Sequence, residues 1–179
     1  MVSLHSIAEN IRRCTKCERW KNRTLTLSGE GSESARIVVV TSYPTNEQDR
    51  QGNFFVGKEG ELLLTLLENI NLTKKDVFVA PLVKCYSDTF PLATEINECK
   101  SYLLSQIDLI NPELIVLLGN GVIQEFLGDD IDLAIGHGTI VSKGNQKFLA
   151  TFAFGEAIDS NEVREKLADD FSKIKNVLE

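Results

Sequence analysis

Four cysteines are the residues of this 179-residue chain best suited to chemistry, and their spacing indicates ligands. Cys14 and Cys17 form a C-x2-C pair, whereas Cys85 and Cys99 come much later and have 13 residues between them. Zinc sites, redox motifs and iron–sulfur sites all use C-x2-C pairs. A zinc ribbon needs a second tight pair, which is absent, while a cubane iron–sulfur cluster accepts scattered thiolates that the fold brings together. The spacing alone leaves an iron–sulfur cluster, a zinc ion and unligated core thiols as alternatives.

The sequence contains no recognisable signal for export or for membrane insertion. The N-terminal segment Met1–Arg13 is amphipathic and includes Glu9, so it lacks the apolar run of a secretory signal. The longest apolar run, Leu114–Leu118, is far shorter than a membrane span. We therefore expect a cytoplasmic protein without a membrane partner. Thiols stay reduced in that compartment, so the cysteines are expected to be ligands, catalysts or core residues before they form disulfides.

Composition and periodicity predict the fold class. Hydrophobic residues make up 42% of the chain and charged residues 25%, which is enough to build a core without disulfides. Short apolar, β-branched runs predict four buried strands, at Ile37–Thr41, Val77–Val83, Leu114–Gly119 and Phe148–Ala153. Helical spacing between these runs indicates helices on both faces of a mostly parallel sheet. We predict one α/β domain, residues 1–179, with a three-layer α/β/α fold around a four-stranded sheet.

The predicted topology also indicates where a site should lie. Ligands of such folds bind outside the carboxyl ends of the strands. The segments in which a site is expected are Ser42–Gly57, Lys84–Ala93, Asn120 with its neighbours, and Ala153–Ser160. Cys85 leaves the end of a predicted strand, and Cys99 lies in the first turns of the helix that follows. Both thiols can therefore reach one point.

Each of the four cysteines lies within a short sequence motif, and the order of these motifs along the chain is informative. In chain order the motifs are Cys14-x2-Cys17 followed by Arg23-Thr24, Asp49-x2-Gly52-Asn53-Phe54-Phe55-Val56-Gly57, Val83-Lys84-Cys85, and Thr94-Glu95-Ile96-x2-Cys99. Together they resemble the family-four uracil-DNA glycosylases, the iron–sulfur branch of that superfamily, nearly from end to end. The resemblance implies a uracil-DNA glycosylase-like fold and a 4Fe-4S cluster, with residues 1–27 as a cluster-binding segment. The metal ligands that it implies are Cys14, Cys17, Cys85 and Cys99.

The same resemblance implies a pocket that receives a base flipped out of the DNA stack. Phe55 matches the aromatic residue that stacks on the base. Other positions depart from the family: Ser42 replaces an acidic residue that positions water, Pro81 an amide that reads uracil, and Ala153 a catalytic histidine. The predicted base-binding residues are Tyr43, Pro44, Phe55, Pro81 and Ala153. The candidate catalytic residues are Ser42 and Glu47.

These departures decide which function we expect. Acid–base assistance contributes about 10²–10⁴-fold to a rate, and one electrostatic donor about 10²–10³-fold. Because the predicted pocket lacks these groups, we expect a glycosylase fold that is catalytically degenerate. Such a protein would serve DNA repair or maintenance as a DNA- or protein-binding module. The alternative is an active glycosylase that flips and removes uracil or another deaminated base, using Glu47 or a water held by the backbone. A redox-active cluster protein without a role on DNA is the third alternative.

The distribution of charged residues along the chain indicates which partners, DNA or protein, to expect. With 19 basic and 26 acidic residues, the formal net charge is −7, which argues against strong non-specific binding to nucleic acid. Residues 1–27 nevertheless hold six basic and two acidic side chains. We predict weak DNA phosphate contacts by Arg12, Arg13 and Lys16, and the alternative is a solvated helix face. The acidic balance also fits a protein partner.

Overall fold

The structure is a computed structural model that describes residues 2–129 and 131–178. Within these residues, six strands form one sheet. The strands are β1 (Glu30–Gly31), β2 (Ile37–Thr41), β3 (Val77–Pro81), β4 (Leu114–Leu118), β5 (Thr139–Lys143) and β6 (Gln146–Thr151). The helices are α1 (Leu4–Arg12), α2 (Asn46–Gln51), α3 (Gly57–Asn69), α4 (Ala93–Ile110), α5 (Asn120–Leu127), α6 (Leu133–Gly136), α7 (Phe154–Asp159), α8 (Asn161–Ser172) and α9 (Ile174–Leu178), with a 3₁₀ helix at Glu18–Lys21. Met1 and Glu179, the two ends of the predicted domain, lie outside the described residues.

The sheet has the strand order β1-β3-β2-β4-β6-β5. Its four inner strands pair in parallel, and each edge strand pairs antiparallel with its neighbour. The register aligns Val39 of β2 with Val79 of β3 on one side and with Val116 of β4 on the other. The four inner strands are those that the apolar runs predicted. The structure therefore confirms the α/β class and the mostly parallel sheet.

The predicted number of four strands was wrong, because the described residues add an edge strand on each side. β1 has two residues and contains Gly31, whose φ of +136° favours glycine. β5 pairs with β6 but leaves four of its five residues exposed. An edge strand pairs with a neighbouring strand on one side only, so its residues need not be buried. Neither segment is therefore an apolar run that the sequence pattern could reveal. β3 also ends at Pro81, two residues before the predicted end at Val83.

Helices cover both faces of the sheet. Successive strand residues point to opposite faces. Val39 therefore packs with the core under α3, α7 and α8, while its neighbour Val38 packs with the core under α4, α5 and α6. Leu63 of α3 and Leu103 of α4 are buried in these two layers. The three-layer α/β/α prediction is confirmed.

The longest described helix is α4, with 18 residues. It buries Leu103, Ile107 and Ile110 against the sheet and also packs against α1. Among residues 2–129 and 131–178, no helix is long and apolar enough to cross a membrane.

Candidate functional site

The four cysteines come from three separate parts of the chain. Cys14 follows α1, Cys17 precedes the 3₁₀ helix, Cys85 lies in the loop after β3, and Cys99 lies in the second turn of α4. Cys85 and Cys99 are buried, Cys14 and Cys17 are half-buried, and all four thiols are free. Because α1 packs against α4, the first pair of cysteines lies near the second.

Donor groups surround the thiols. The Arg23 guanidinium donates through Nη1 to the carbonyl of Cys14 (2.9 Å) and to Sγ of Cys85 (3.2 Å). The backbone N–H of Lys84 donates to Sγ of Cys99 at 3.3 Å. Such donors favour the charged form of a thiol, and outer-shell hydrogen bonds of this kind orient metal ligands. The thiols therefore lie in surroundings that suit ligation.

The thiols also influence one another electrostatically. Burial raises the pKa of Cys85 and raises that of Cys99 to about 11, and the charges of neighbouring thiols, Cys14 among them, act in the same direction. Thiolates gathered in this way need positive charge between them, which metal ions supply. In the described part of the chain, no three His, Cys, Asp or Glu side chains stand at the spacing of one metal ion. A cubane cluster spaces its ligands more widely, because each cysteine binds a different iron. The four cysteines are the residues that could hold one.

Arg19 connects the N-terminal segment to the loop after β3. Its side chain is only 2% exposed. The guanidinium donates to the carbonyls of Cys85 and Thr89, each at 3.1 Å, and to a carboxylate oxygen of Glu95 at 3.2 Å. It also lies over the ring of Tyr43, 5.1 Å from the ring centre. The cysteine segment at the N-terminus and the loop after β3 are thus held together through one buried cation.

A cavity of about 470 Å³ opens at the carboxyl edge of the sheet. Its lining residues are Thr41, Ser42, Tyr43, Pro44, Thr45, Glu59, Tyr86, Ser87, Asp88, Phe90, Leu118, Ala153, Phe154, Gly155 and Glu156. The sequence predicted a site in four segments. Three of them line this cavity, and the segment around Asn120 does not. Ligands of α/β folds bind at this edge, and the volume is that of a small-molecule site.

The structure brings together four of the residues that were predicted to bind a base or to catalyse its removal. The predicted residues that line the cavity are Ser42, Tyr43, Pro44 and Ala153. Pro81 is not in the lining: it is the buried last residue of β3 and is paired in register with Thr41. The roles of these residues toward a bound base stay predictions.

Phe55, the predicted stacking residue, also lies outside the lining of the cavity. It is 7% exposed and belongs to the core under α3, and Nζ of Lys74 lies 4.4 Å from the centre of its ring. Gly60 permits this packing, because a Cβ at that position would collide with the Phe55 backbone. The F-V-G motif thus has a packing role here, and the stacking role of Phe55 stays a prediction.

The carboxylates beside the first loop hold local structure. Glu47 is exposed on α2, accepts a hydrogen bond from Nε2 of Gln51 (3.2 Å) and lies against Gly57. Asp49 is buried and accepts a hydrogen bond from the backbone N–H of Thr24 at 2.8 Å. Neither carboxylate lines the cavity, and a catalytic role of Glu47 stays a prediction.

Sequence reasoning missed Glu59, which lines the cavity from the first turn of α3. Burial raises the pKa of Glu59 to about 7. A Cβ at Gly155 would lie 3.6 Å from Oε1 of Glu59, so the carboxyl reaches the first turn of α7. A signal was available: Glu59 precedes Leu63 by four positions and Leu66 by seven, which places it on the apolar face of α3.

A second missed residue is Phe90, at the mouth of the cavity. Its side chain is 79% exposed, although large apolar side chains are usually buried. Its ring stands edge-on to Tyr43, with 5.8 Å between the ring centres and an angle of 81°. Together with Tyr86 and Phe154, these two rings give the cavity an aromatic wall.

Comparison with known proteins identifies the family. The model of the Uracil DNA glycosylase superfamily matches residues 28–164. A type-4 uracil-DNA glycosylase of Thermotoga maritima is 33% identical over 178 residues, which cover 96% of this chain and 93% of that protein. Those of Saccharolobus solfataricus and Archaeoglobus fulgidus are 32% and 31% identical over 99% and 97% of this chain, and over 88% and 92% of their own lengths. The chain therefore belongs to the uracil-DNA glycosylase superfamily, in its type-4 branch.

Proposed function

We propose that this chain is a DNA-repair protein that binds a flipped nucleobase in the cavity but does not excise uracil. One observation carries the proposal: the cavity exists, yet the three positions at which the family places polar chemistry hold Ser42, Pro81 and Ala153. The chain thus offers a place for a base without the polar groups that the family has at these three positions.

The lining of the cavity supports base binding. Its aromatic rings offer stacking surfaces, and base–aromatic stacking contributes about 1–3 kcal/mol per base. The hydroxyl Oγ1 of Thr41 is buried and has no hydrogen-bond partner among the described residues. Buried polar groups are nearly always paired. A base edge in the cavity gives this hydroxyl the partner that it lacks.

The residues at the three positions explain the expected lack of excision. The Ser42 hydroxyl is neutral and is a far weaker base than a carboxylate. Pro81 has neither a side-chain donor nor a backbone N–H with which to read uracil. Ala153 offers a methyl group, and its backbone N–H already donates to Oε2 of Glu156 at 2.8 Å. These side chains offer no carboxylate, amide or imidazole, and only the Ser42 hydroxyl can donate a hydrogen bond.

We expect uracil release from single- or double-stranded DNA to be at least about 10⁴-fold slower than with the Thermotoga maritima relative, because an acid–base group and electrostatic donors are missing. A single-turnover assay on uracil-containing oligonucleotides, with alkaline cleavage of the abasic product, measures the rate. Release within tenfold of that relative would contradict the proposal.

The control for this experiment restores the three groups. The triple variant Ser42→Glu, Pro81→Asn, Ala153→His should recover measurable uracil release, and the single reversions should not, because groups that act as a unit fail as a unit. Visible absorbance and thermal midpoints of the variants show whether each protein is folded.

Excision of a different base is the second candidate function. The volume of about 470 Å³ favours it, because this space is not restricted to a pyrimidine. The same assay, run with oligonucleotides that contain hypoxanthine or xanthine, distinguishes the two candidates. Release of either base would establish an active glycosylase of altered specificity.

DNA binding is proposed to involve the exposed residues Arg12, Arg13 and Lys16. Replacing all three by alanine should reduce the slope of log affinity against log salt by about 2–3, since each phosphate contact contributes roughly 0.7–0.9 to it. Fluorescence anisotropy over a salt series measures the slope. The control pair Lys75→Ala and Lys147→Ala, at the amino edge of the sheet, should leave it unchanged. An unchanged slope in the triple variant would assign the three residues to a solvated helix face.

A 4Fe-4S cluster belongs to the same proposal, with Cys14, Cys17, Cys85 and Cys99 as its ligands. The cysteine order and the hydrogen bonds to the thiols of Cys85 and Cys99 support it. When bound, the cluster would supply a covalent cross-link between the N-terminal segment, the loop after β3 and α4. A protein partner, expected from the acidic composition, completes the proposal, together with the cytoplasmic location expected from the character of Met1–Arg13 and the short apolar runs.

A further inference from the structure

Three carboxyl groups line the cavity, and two of them already have partners. Oε2 of Glu156 accepts a hydrogen bond from the backbone N–H of Ala153 at 2.8 Å. Asp88 accepts one from the hydroxyl of Tyr86. The carboxyl of Glu59 takes part in no hydrogen bond or ion pair within residues 2–129 and 131–178, and burial is the cause of its raised pKa. Glu59 is therefore the acid in the lining that is available to an occupant of the cavity.

An ionised carboxylate accepts hydrogen bonds and donates none. Its two oxygens match a partner that presents two adjacent N–H donors, as in a bidentate pair. Among nucleobases, the pairing edge of guanine presents such donors at N1 and at the 2-amino group. Uracil presents one N–H between two carbonyl oxygens, so a carboxylate facing that edge meets at least one repelling oxygen.

On this basis, and resting on the proposed function, we propose that Glu59 reads the flipped base and selects the guanine edge over that of uracil. The residue enters the cavity from the first turn of α3. The lining residues include no lysine or arginine among the described positions, so no cation in the wall competes for Glu59 or attracts the uracil oxygens. The aromatic rings of the lining provide stacking for a purine as well as for a pyrimidine.

The protonation state of Glu59 sets the conditions of the test. Burial raises the pKa of Glu59 to about 7, so the carboxylate form is complete at about pH 8.5. The other ionisable groups that line the cavity are Asp88, Glu156 and Tyr86. A protonated carboxyl both donates and accepts, so the preference for guanine should weaken as the pH falls below the pKa of Glu59.

The test measures binding of thymine oligonucleotides that carry one central guanine, hypoxanthine or uracil, by fluorescence anisotropy at about pH 8.5. Hypoxanthine differs from guanine by the absence of the 2-amino group. The native protein should bind the guanine oligonucleotide about tenfold more tightly than the hypoxanthine one, as expected for a hydrogen bond to a charged group. Glu59→Gln should abolish this ratio and bind the uracil oligonucleotide at least as well as the guanine one, because an amide complements uracil.

Two controls keep the result specific. Glu61→Gln changes an exposed carboxylate two residues later on α3 and should preserve the guanine preference. The thermal midpoint of Glu59→Gln at about pH 8.5 should not fall below that of the native protein, since the substitution removes a buried charge. A guanine preference that survives in Glu59→Gln would overturn this inference and leave the proposed function standing. Equal binding of all three oligonucleotides and of one with a central abasic site would overturn both.

Discussion

The substitution Cys99→Ser is expected to remove the iron and destabilise the whole fold together. Cys99 is buried on α4, and the ligands proposed to join it come from the N-terminal segment and from the loop after β3. Ligation free energy is also folding free energy, so the free energy of unfolding should fall by more than about 5 kcal/mol. The native protein, purified without oxygen, should be brown with about four irons per chain. Iron analysis and anaerobic urea unfolding, followed by circular dichroism, measure both effects.

A neighbouring position on the same helix provides the control for Cys99→Ser. Ser101 is exposed on α4, so Ser101→Ala should keep the colour, the iron content and the unfolding midpoint. Native protein with stoichiometric zinc and no visible absorbance would refute the cluster, because a zinc ion has no such absorbance. A Cys99→Ser variant with full iron content would refute this cysteine as a ligand.

The second large effect is expected from Arg19→Ala. The guanidinium is 2% exposed and binds Glu95 as well as the carbonyls of Cys85 and Thr89. Removing one partner of a buried ion pair costs about 3–5 kcal/mol, since the remaining polar groups stay buried without a partner. The loop after β3 forms part of the cavity wall, so affinity for oligonucleotides should fall as well. Urea unfolding and fluorescence anisotropy measure the two losses.

Two further variants show how far the stability depends on the burial of Arg19 and how far on its charge. Lys21→Ala removes an exposed cation of the same segment and should change the free energy of unfolding by less than about 0.5 kcal/mol. Arg19→Lys keeps the charge but loses the forked donors, so its stability should lie between those of Arg19→Ala and the native protein. Native stability of Arg19→Ala would show that this ion pair does not hold the loop.

Local patterns determined much of the fold. The inner strands were predictable because a parallel strand that is buried on both faces is a continuous apolar run, as in Leu114–Leu118. The edge strands β1 and β5 were not predictable in this way, because one side of each lacks a neighbour and no apolar run is required. The segments of the site were also predictable, since parallel strands end at one edge and three of the four expected segments line the cavity.

The sequence by itself determined the family and the order of the four cysteines, because these depend on residue identity and order along the chain. That Ser42, Pro81 and Ala153 replace polar groups of the family stays a prediction from the same resemblance. The tertiary structure decided which side chains face the cavity. Phe55 packs in the core and Glu59 lines the cavity, although the two residues are close neighbours in the chain. The physical reason is that side-chain direction depends on how α3 packs on the sheet, which involves contacts between residues far apart in the chain.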